Sequence, residues 1–184
     1  MEKTELMEVK QMSKLEKIIS YFFIYSFIGW VLEIIYCLAT LHTFNNRGFL
    51  YGPICPMYGI AAILLIKLLE DTKMNKVFKF ITIILVFTLF EYAVSFSLEA
   101  VFNLRWWDYT NDFMNIQGRI SLPFSIAWGV IGLIVVDLIH PKINKVLERI
   151  TIYVSKKIRV IILGILVSIF IVDEIFSIIK YVGM

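Results

Sequence analysis

Charged residues are scarce in this chain. They make up 18% of the 184 residues, whereas soluble domains carry about a quarter. Hydrophobic residues reach 59%, and the mean hydropathy is +0.80. Runs of about 20 apolar residues mark membrane-spanning helices, which satisfy their own backbone hydrogen bonds in lipid. The composition excludes a soluble globular protein and predicts an all-α integral membrane protein in one transmembrane domain, residues 1–184.

Residues that carry most cofactor chemistry are equally rare. His42 and His140 are the two histidines, and they are expected on opposite sides of the membrane, which excludes a His-based zinc site. Cys37 and Cys55 are the two cysteines, and free buried thiols are favoured over a disulfide. No Gly-rich phosphate loop, nucleophile elbow or basic nucleic-acid stripe is found. We expect no metal, no cofactor, no nucleic-acid partner and no ATPase activity in this chain itself.

The apolar runs predict five spans. Amphipathic patterns before the first span and between the fourth and fifth spans predict surface helices. The spans are 17–40, 54–70, 78–102, 121–140 and 159–182, and the amphipathic segments are 1–16 and 142–157. The first four spans form two helical hairpins, 17–70 and 78–140.

Lys and Arg concentrate in the N-terminal segment, in 67–79 and in 141–159. Cytoplasmic loops carry such an excess. We therefore expect a multi-pass protein of the bacterial inner membrane with its N-terminus in the cytoplasm and its C-terminus outside. Both hairpins then start on the same side, so the internal repeat is parallel, and the loops 42–52 and 103–120 face outward.

The two hairpins share a motif. In each, a carboxylate follows an apolar run, an Arg lies in the next loop, and Pro-x-x-x-x-(Tyr/Trp)-Gly opens the next span. Comparison of the motifs matches Glu33 with Glu99, and Tyr58 with Trp128 as packing residues. An ionisable group inside a span is costly and indicates a functional site. A pseudo-two-fold axis would bring Glu33 and Glu99 together, with Glu91 deeper in the same site.

Other polar and aromatic residues lie near these carboxylates in the sequence. The candidate substrate-binding set is Glu33, Arg47, Glu91, Glu99, Arg119, Trp30, Trp107, Asp108 and Tyr109. The simpler interpretation is that the carboxylates pair with Arg47, Arg105 and Arg119 and only tie the loops to the helices. Asp173 and Glu174, in the middle of the last span, receive no role.

The residues Asn46-Arg47-Gly48, Tyr51-Gly52-Pro53, Trp107-Asp108-Tyr109 and Gln117-Gly118-Arg119 form a set. As a set, these residues resemble the bacterial ABC-transporter permease family of the CmpB type. The resemblance covers about 20–140 and implies a small multi-span membrane protein with a transport role. It adds no established catalytic residues.

Three hypotheses about function follow. The first is a small transporter or permease component with an outward-facing polar site, working with a separate ATPase subunit or as a homodimer. The second is an intramembrane enzyme or binding protein that acts on a lipid or prenyl-phosphate head group, with Arg47 and Arg119 beside helix N-termini that favour anions. The third is a structural or regulatory subunit of a membrane complex. Whether the chain is an enzyme stays open, and membrane lipid is a partner in every case.

Overall fold

The computed structural model describes residues 11–42 and 48–182, except the side chain of Leu41. These residues form α-helices with one π-helical segment, and within them β-pairing is limited to an isolated bridge between Ile116 and Ile120. The helices are α1 (Lys14–Leu41), α2 (Pro56–Leu69), α3 (Lys76–Phe102), α4 (Leu122–Ile134), the π segment Val135–Ile139, α5 (His140–Tyr153) and α6 (Lys156–Val182). The prediction of an all-α membrane protein is confirmed. The amphipathic segment 1–16 lies mostly outside the described residues.

Four helical stretches of the described chain are long and apolar enough to cross a membrane: Lys14–Thr40, Lys76–Phe102, Leu122–Tyr153 and Lys156–Val182. The second predicted span is shorter than expected. With 14 residues, α2 is about 21 Å long, whereas the hydrocarbon core is about 30 Å thick. The described residues therefore contain four helices that are long and apolar enough to span a membrane, and one short apolar helix.

Capping residues set the starts of two long helices. The hydroxyl of Ser13 accepts from the N–H of Glu16 at 3.2 Å, and the Glu16 carboxylate accepts from the N–H of Ser13 at 2.8 Å. This capping box begins α1. Asn75 begins α3 by accepting from the N–H of Phe78 at 2.9 Å. Asn103 ends α3 in the left-handed conformation that Asn tolerates.

Pro141 does not end the fourth span, in contrast to the expected boundary at 140. The helix runs without a break from Leu122 to Tyr153 and takes a π-helical turn at Val135–Ile139. Proline has no N–H, and its ring collides with the carbonyl four residues earlier, which here belongs to Asp137. The wider π turn places the carbonyls that precede Pro141 in a different register, so the helix continues past the ring.

The chain divides into two compact units, 1–63 with 142–184, and 64–141. In the first unit, the ring of Phe170 on α6 makes edge contacts with Phe22 and Phe23 on α1. The core of the second unit is formed by Leu65, Leu69, Ile83 and Val136.

Candidate functional site

In the first unit, the start of α2 is fixed against α1. The N–H of Cys55, one residue before α2, donates to the carbonyl of Ser26 at 2.9 Å. Pro56 then begins the helix, where its missing N–H costs nothing. Two residues later the hydroxyl of Tyr58 donates a hydrogen bond to Oε1 of Glu33, which is half-buried. The Pro-led turn therefore places Tyr58 on a membrane carboxylate.

Two glycines allow α1 and α2 to approach closely. A methyl group at Gly59 would overlap the hydroxyl of Ser26 and the carbonyl of Phe22. One at Gly29 would overlap the Tyr58 ring. Small residues let helix backbones approach closely in lipid, where packing holds helices together. Gly29 and Gly59 therefore position the Tyr58–Glu33 hydrogen bond.

The second unit repeats this arrangement between α3 and α4. The indole N–H of Trp128 donates to Oε1 of Glu91 at 3.4 Å. The indole also stacks on Phe87 at a centroid distance of 5.7 Å. A methyl group at Gly129 would overlap the side chains of Phe80 and Ile84. An aromatic residue next to a closely packed glycine again contacts a carboxylate on the preceding helix.

These contacts define the register of the repeat. Gly59 packs on Phe22 and Ser26, and Gly129 packs on the residues 58 positions further along, Phe80 and Ile84. The same offset of 58 residues relates Glu33 to Glu91. Tyr58 donates to the first of these carboxylates and Trp128 to the second. The structural counterpart of Glu33 is therefore Glu91. The sequence motif matched Glu33 with Glu99, whereas the packing of the helices matches Glu33 with Glu91.

Glu91 is 4% exposed. A second donor reaches it from the loop between α3 and α4, because the Tyr109 hydroxyl donates to Oε1 at 3.1 Å. The Tyr109 ring is stacked on Phe124 at 4.4 Å, which ties the loop to the first turn of α4. Two donors from two elements therefore hold one buried carboxylate group.

Glu99, two turns further along α3, has a different environment. Its Oε1 is 3.0 Å from Nε of Arg105, and its Oε2 is 2.6 Å from Nη1 of Arg119. The same Nη1 donates to the hydroxyl of Ser95 at 3.3 Å. This is the pairing of carboxylate and arginines that the simpler interpretation of the sequence predicts for Glu99.

Arg119 is 8% exposed, and its guanidinium carbon lies over the rings of Tyr92 and Phe96 at 5.8 and 5.5 Å. The indole N–H of Trp107 donates to the carbonyl of Arg119 at 2.9 Å. A guanidinium packs well against aromatic faces. Charge pairing and ring contacts therefore hold the loop against α3, and the Trp107 hydrogen bond joins two segments of the loop itself.

Asp108 is an exposed loop residue that organises its neighbours. Its carboxylate accepts from the hydroxyl of Thr110 and, at 3.0 Å, from the N–H of Thr110. These hydrogen bonds, together with the nearby charge of Arg105, hold the pKa of Asp108 below its ordinary value. Asp108 therefore stays ionised and shapes the loop.

The predicted site residues fall into separate groups. The second unit brings together Glu91, Tyr109, Glu99, Arg119 and Trp107 along one face of α3, with Asp108 at the edge of this group. In the first unit, Trp30 is stacked on Phe27 at 5.9 Å, three residues before Glu33. Arg47 lies outside the described residues.

Several polar contacts are not evident from the sequence. Tyr58 and Trp128 were expected only to pack, yet both donate to carboxylates; their identical position in the two motifs is the signal that could have revealed them. Asp173, which had no assigned role, accepts from the N–H groups of Tyr51 and Gly52 at 2.9 and 2.8 Å. No signal in the sequence pairs these positions.

Another unexpected contact joins the starts of α1 and α6. The side chains of Glu16 and Arg159 form an ion pair at 3.2 Å, and both residues are at least 95% buried. Nη1 of Arg159 also donates to the carbonyl of Val154 at 2.8 Å. This ion pair joins the first turns of α1 and α6 in the first unit.

Within the described part of the chain, no group of three or more His, Cys, Asp or Glu residues is placed to hold a metal ion. The arrangement offers carboxyl oxygens as hydrogen-bond acceptors on two long apolar helices, Glu33 on α1 and Glu91 on α3. It also offers two guanidinium groups, those of Arg105 and Arg119, which are paired with Glu99.

Comparison with known proteins identifies the family. The sequence model of the family described as "Putative ABC-transporter type IV" matches residues 20–178, which covers all four full-length spans in large part. Comparisons with curated proteins and with solved structures gave no match. The chain therefore belongs to this ABC-transporter family of the CmpB type.

Proposed function

We propose that this ABC-transporter-related membrane protein is the membrane-spanning component of a transport system, and that Glu33 and Glu91 contact the transported solute. The observation that carries the proposal is the repeated hydrogen bond from an aromatic residue to a membrane carboxylate, Tyr58 to Glu33 and Trp128 to Glu91. A duplicated hairpin that keeps a carboxylate in the same packing register supports the same use of each group within its own unit.

The chemistry of the pair favours a cationic or hydrogen-bond-donating solute. A carboxylate binds ammonium and guanidinium groups more strongly than neutral acceptors do. Ionisable groups within spans mark substrate and ion pathways because retaining them there is costly. Tyr58, Trp128 and Tyr109 orient the carboxylates in this proposal.

Glu99 has a supporting role in this proposal. Two guanidinium groups already neutralise it, so a cationic solute would have to compete with Arg105 and Arg119. We infer that the Glu99 cluster holds the loop 103–121 over α3 and so keeps Tyr109 on Glu91. If Glu33 instead acts together with Glu99, Glu99 should matter more for transport than Glu91. Transport measurements on variants of the two residues distinguish these alternatives.

The energy source proposed is a separate ATPase subunit. Family membership supports such a partner, because the chain itself carries no phosphate loop with Lys. The distribution of Lys and Arg supports a cytoplasmic N-terminus and an external C-terminus. In this orientation the loop 103–121 faces outward.

A second candidate is binding of a lipid or prenyl-phosphate head group, which the guanidinium groups of Arg105 and Arg119 favour. Both groups already contact Glu99, so a phosphate would have to replace that carboxylate. Transport is therefore the better-supported function. Retention of a phospholipid by the purified wild-type protein, lost in Arg119→Gln, would favour head-group binding instead.

Purification of the tagged chain from its own membrane tests the proposal. We expect an ATPase subunit to copurify, and proteoliposomes of the complex to take up at least one of spermidine, arginine, choline or thiamine in an ATP-dependent manner. Glu33→Gln should reduce that uptake at least tenfold. Glu148→Gln is the matched control, because Glu148 is a more exposed carboxylate paired with Lys17 outside the site.

The transport proposal would be contradicted if no ATPase subunit copurified and the proteoliposomes took up none of the four probes. Stable association with other membrane proteins in that case would favour the role of a structural or regulatory subunit. Equal uptake by Glu33→Gln and Glu148→Gln would remove Glu33 from the site while leaving transport itself intact.

A further inference from the structure

The loop between α3 and α4 exposes three large apolar side chains at its tip. Phe113 is 69% exposed, Met114 65% and Ile116 55%. We call these three residues the apolar tip. Single exposed apolar residues are ordinary, but a contiguous group on a loop indicates a surface that is covered by something.

The loop is built to hold the apolar tip in place. The side chain of Asn115 donates to the carbonyls of Thr110 and Asp112 at 2.9 and 3.1 Å, and it accepts from the N–H of Gly118 at 3.2 Å. Met114 has a φ of 51°, a left-handed conformation that costs energy for a residue with a side chain. The hydrogen bonds of Asn115 fix the loop backbone around Met114. The apolar side chains of the tip are therefore held in their exposed positions.

The apolar tip lies at the level where α4 begins. The N–H of Leu122, the first residue of α4, donates to the carbonyl of Phe113 at 3.4 Å. The N–H of Ile116 donates to the carbonyl of Ile120 at 3.0 Å, just before the helix. The loop therefore folds back beside the end of a membrane span.

The exposed surface continues from the apolar tip along α4. Leu122, Ile126 and Val130 follow at four-residue spacing, and they are 38%, 44% and 48% exposed. Such a stripe on a spanning helix faces lipid. The two nearby arginines, Arg105 and Arg119, are paired with Glu99. Continuity with the lipid-facing stripe makes lipid the occupant that fits the apolar tip.

We propose that the apolar tip is a lipid anchor: Phe113, Met114 and Ile116 insert at the boundary between head groups and acyl chains. Insertion removes their apolar surface from water without requiring any change of the loop. The anchor fixes the loop that carries Tyr109 and Arg119. The proposal goes beyond the proposed function and does not depend on transport.

Spin labels measure the depth of each position in the full-length protein. Cysteine replaces Phe113, Met114, Ile116 or the control Asn111 in turn, in a background in which Cys37 and Cys55 are changed to Ala and Ser. Asn111 is an exposed polar residue of the same loop. The labelled proteins are placed in phosphatidylcholine vesicles. Power saturation of the electron paramagnetic resonance signal then measures how accessible each label is to oxygen, which concentrates in lipid, and to a nickel chelate, which stays in water.

We expect the labels at 113 and 114 to be more accessible to oxygen than to the nickel chelate, and the label at 111 to show the reverse order. High nickel accessibility at all four positions would overturn the proposal, since the tip would then lie in water. Low accessibility to both reagents at 113 and 114 would also overturn it, because a protein contact would then cover the tip. Positions 113 and 114 decide the result if Ile116→Cys fails to fold.

Discussion

The hydroxyl of Tyr58 donates a hydrogen bond to Oε1 of Glu33, across the interface between α1 and α2. The indole of Trp128 makes the equivalent contact with Glu91 in the second hairpin. The two pairs share a helix start led by proline, a glycine after the aromatic residue, and the same packing register on the preceding helix. They connect the duplicated sequence to a duplicated chemical arrangement.

Removal of the Tyr58 hydroxyl tests the strength of the first pair. We expect Tyr58→Phe to lower the free energy of unfolding by about 1–2 kcal/mol, because a hydrogen bond to a half-buried carboxyl group is lost. Unfolding in mixed detergent micelles measures the change. Tyr153→Phe is the control, since Tyr153 is 86% exposed; equal stability of the two variants would mean that the Tyr58 hydroxyl contributes nothing.

The close helix contacts at the glycines have graded consequences. Gly59→Ala should destabilise by about 1–3 kcal/mol, because the added methyl group overlaps the backbone carbonyl of Phe22, which cannot move aside. Gly129→Ala should cost less, since the three atoms nearest to the added methyl group belong to the side chains of Phe80 and Ile84, which can shift. The same unfolding measurement applies.

Gly164 supplies the control for both glycine substitutions. A methyl group there meets nothing within 4 Å. Gly164→Ala should therefore leave stability unchanged or raise it by about 0.5–1 kcal/mol through helix propensity. A loss for Gly164→Ala as large as that for Gly59→Ala would contradict the packing argument.

The buried pair of Glu16 and Arg159 should show strong coupling. Either Glu16→Gln or Arg159→Met leaves one buried charge without its partner, and we expect a loss of about 3 kcal/mol. The capping box survives in Glu16→Gln, because the amide oxygen can still accept from Ser13. The double variant should recover part of the loss in a double-mutant cycle; simple addition of the two single losses would show that the pair is not coupled.

The titration of Asp108 follows from its contacts with Thr110. Its pKa is lowered in the folded loop, so the stabilising contribution is present above the unfolded pKa, about 3.9, and is lost as the pH falls through the lower folded pKa. Between pH 5 and 8 the loop should not respond to this group. Carbon NMR of labelled aspartates should show the low midpoint, and Thr110→Val should raise it; an unchanged midpoint in Thr110→Val would exclude the hydroxyl as its cause.

Local sequence signals predict most of the helical framework. The prolines in the first turns of α2 and α4 belong to the motif that predicted a span start, and the observed long helices begin within about three residues of the predicted spans. The caps formed by Ser13 with Glu16 and by Asn75 were not part of that prediction. Pro141 misleads, because a proline usually ends a helix, whereas here a π turn at Val135–Ile139 precedes it and the helix continues. The length of α2 was also overestimated, because the apolar residues before Pro56 belong to a turn.

The site was predicted less completely. Alignment of the two hairpins by their loop motifs matches Glu33 with Glu99. The second loop is longer than the first, so this alignment does not give the register in which the helices pack. Packing at Gly59 and Gly129 gives the correct register, and no sequence pattern reports which side chains a glycine faces. The Glu16–Arg159 pair joins residues 143 positions apart, a separation over which a single sequence gives no signal.

Uptake by proteoliposomes carrying Glu91→Gln or Glu99→Gln tests the central proposal most directly. The two carboxylates lie on one face of α3, two turns apart, so the variants are closely matched. With each rate normalised to folded protein, we expect Glu91→Gln to reduce ATP-dependent uptake at least tenfold, as Glu33→Gln does, and Glu99→Gln to keep more than a third of the wild-type rate. Normal uptake by Glu91→Gln, with uptake abolished in Glu99→Gln, would contradict the equivalence of Glu33 and Glu91 as solute-contacting groups.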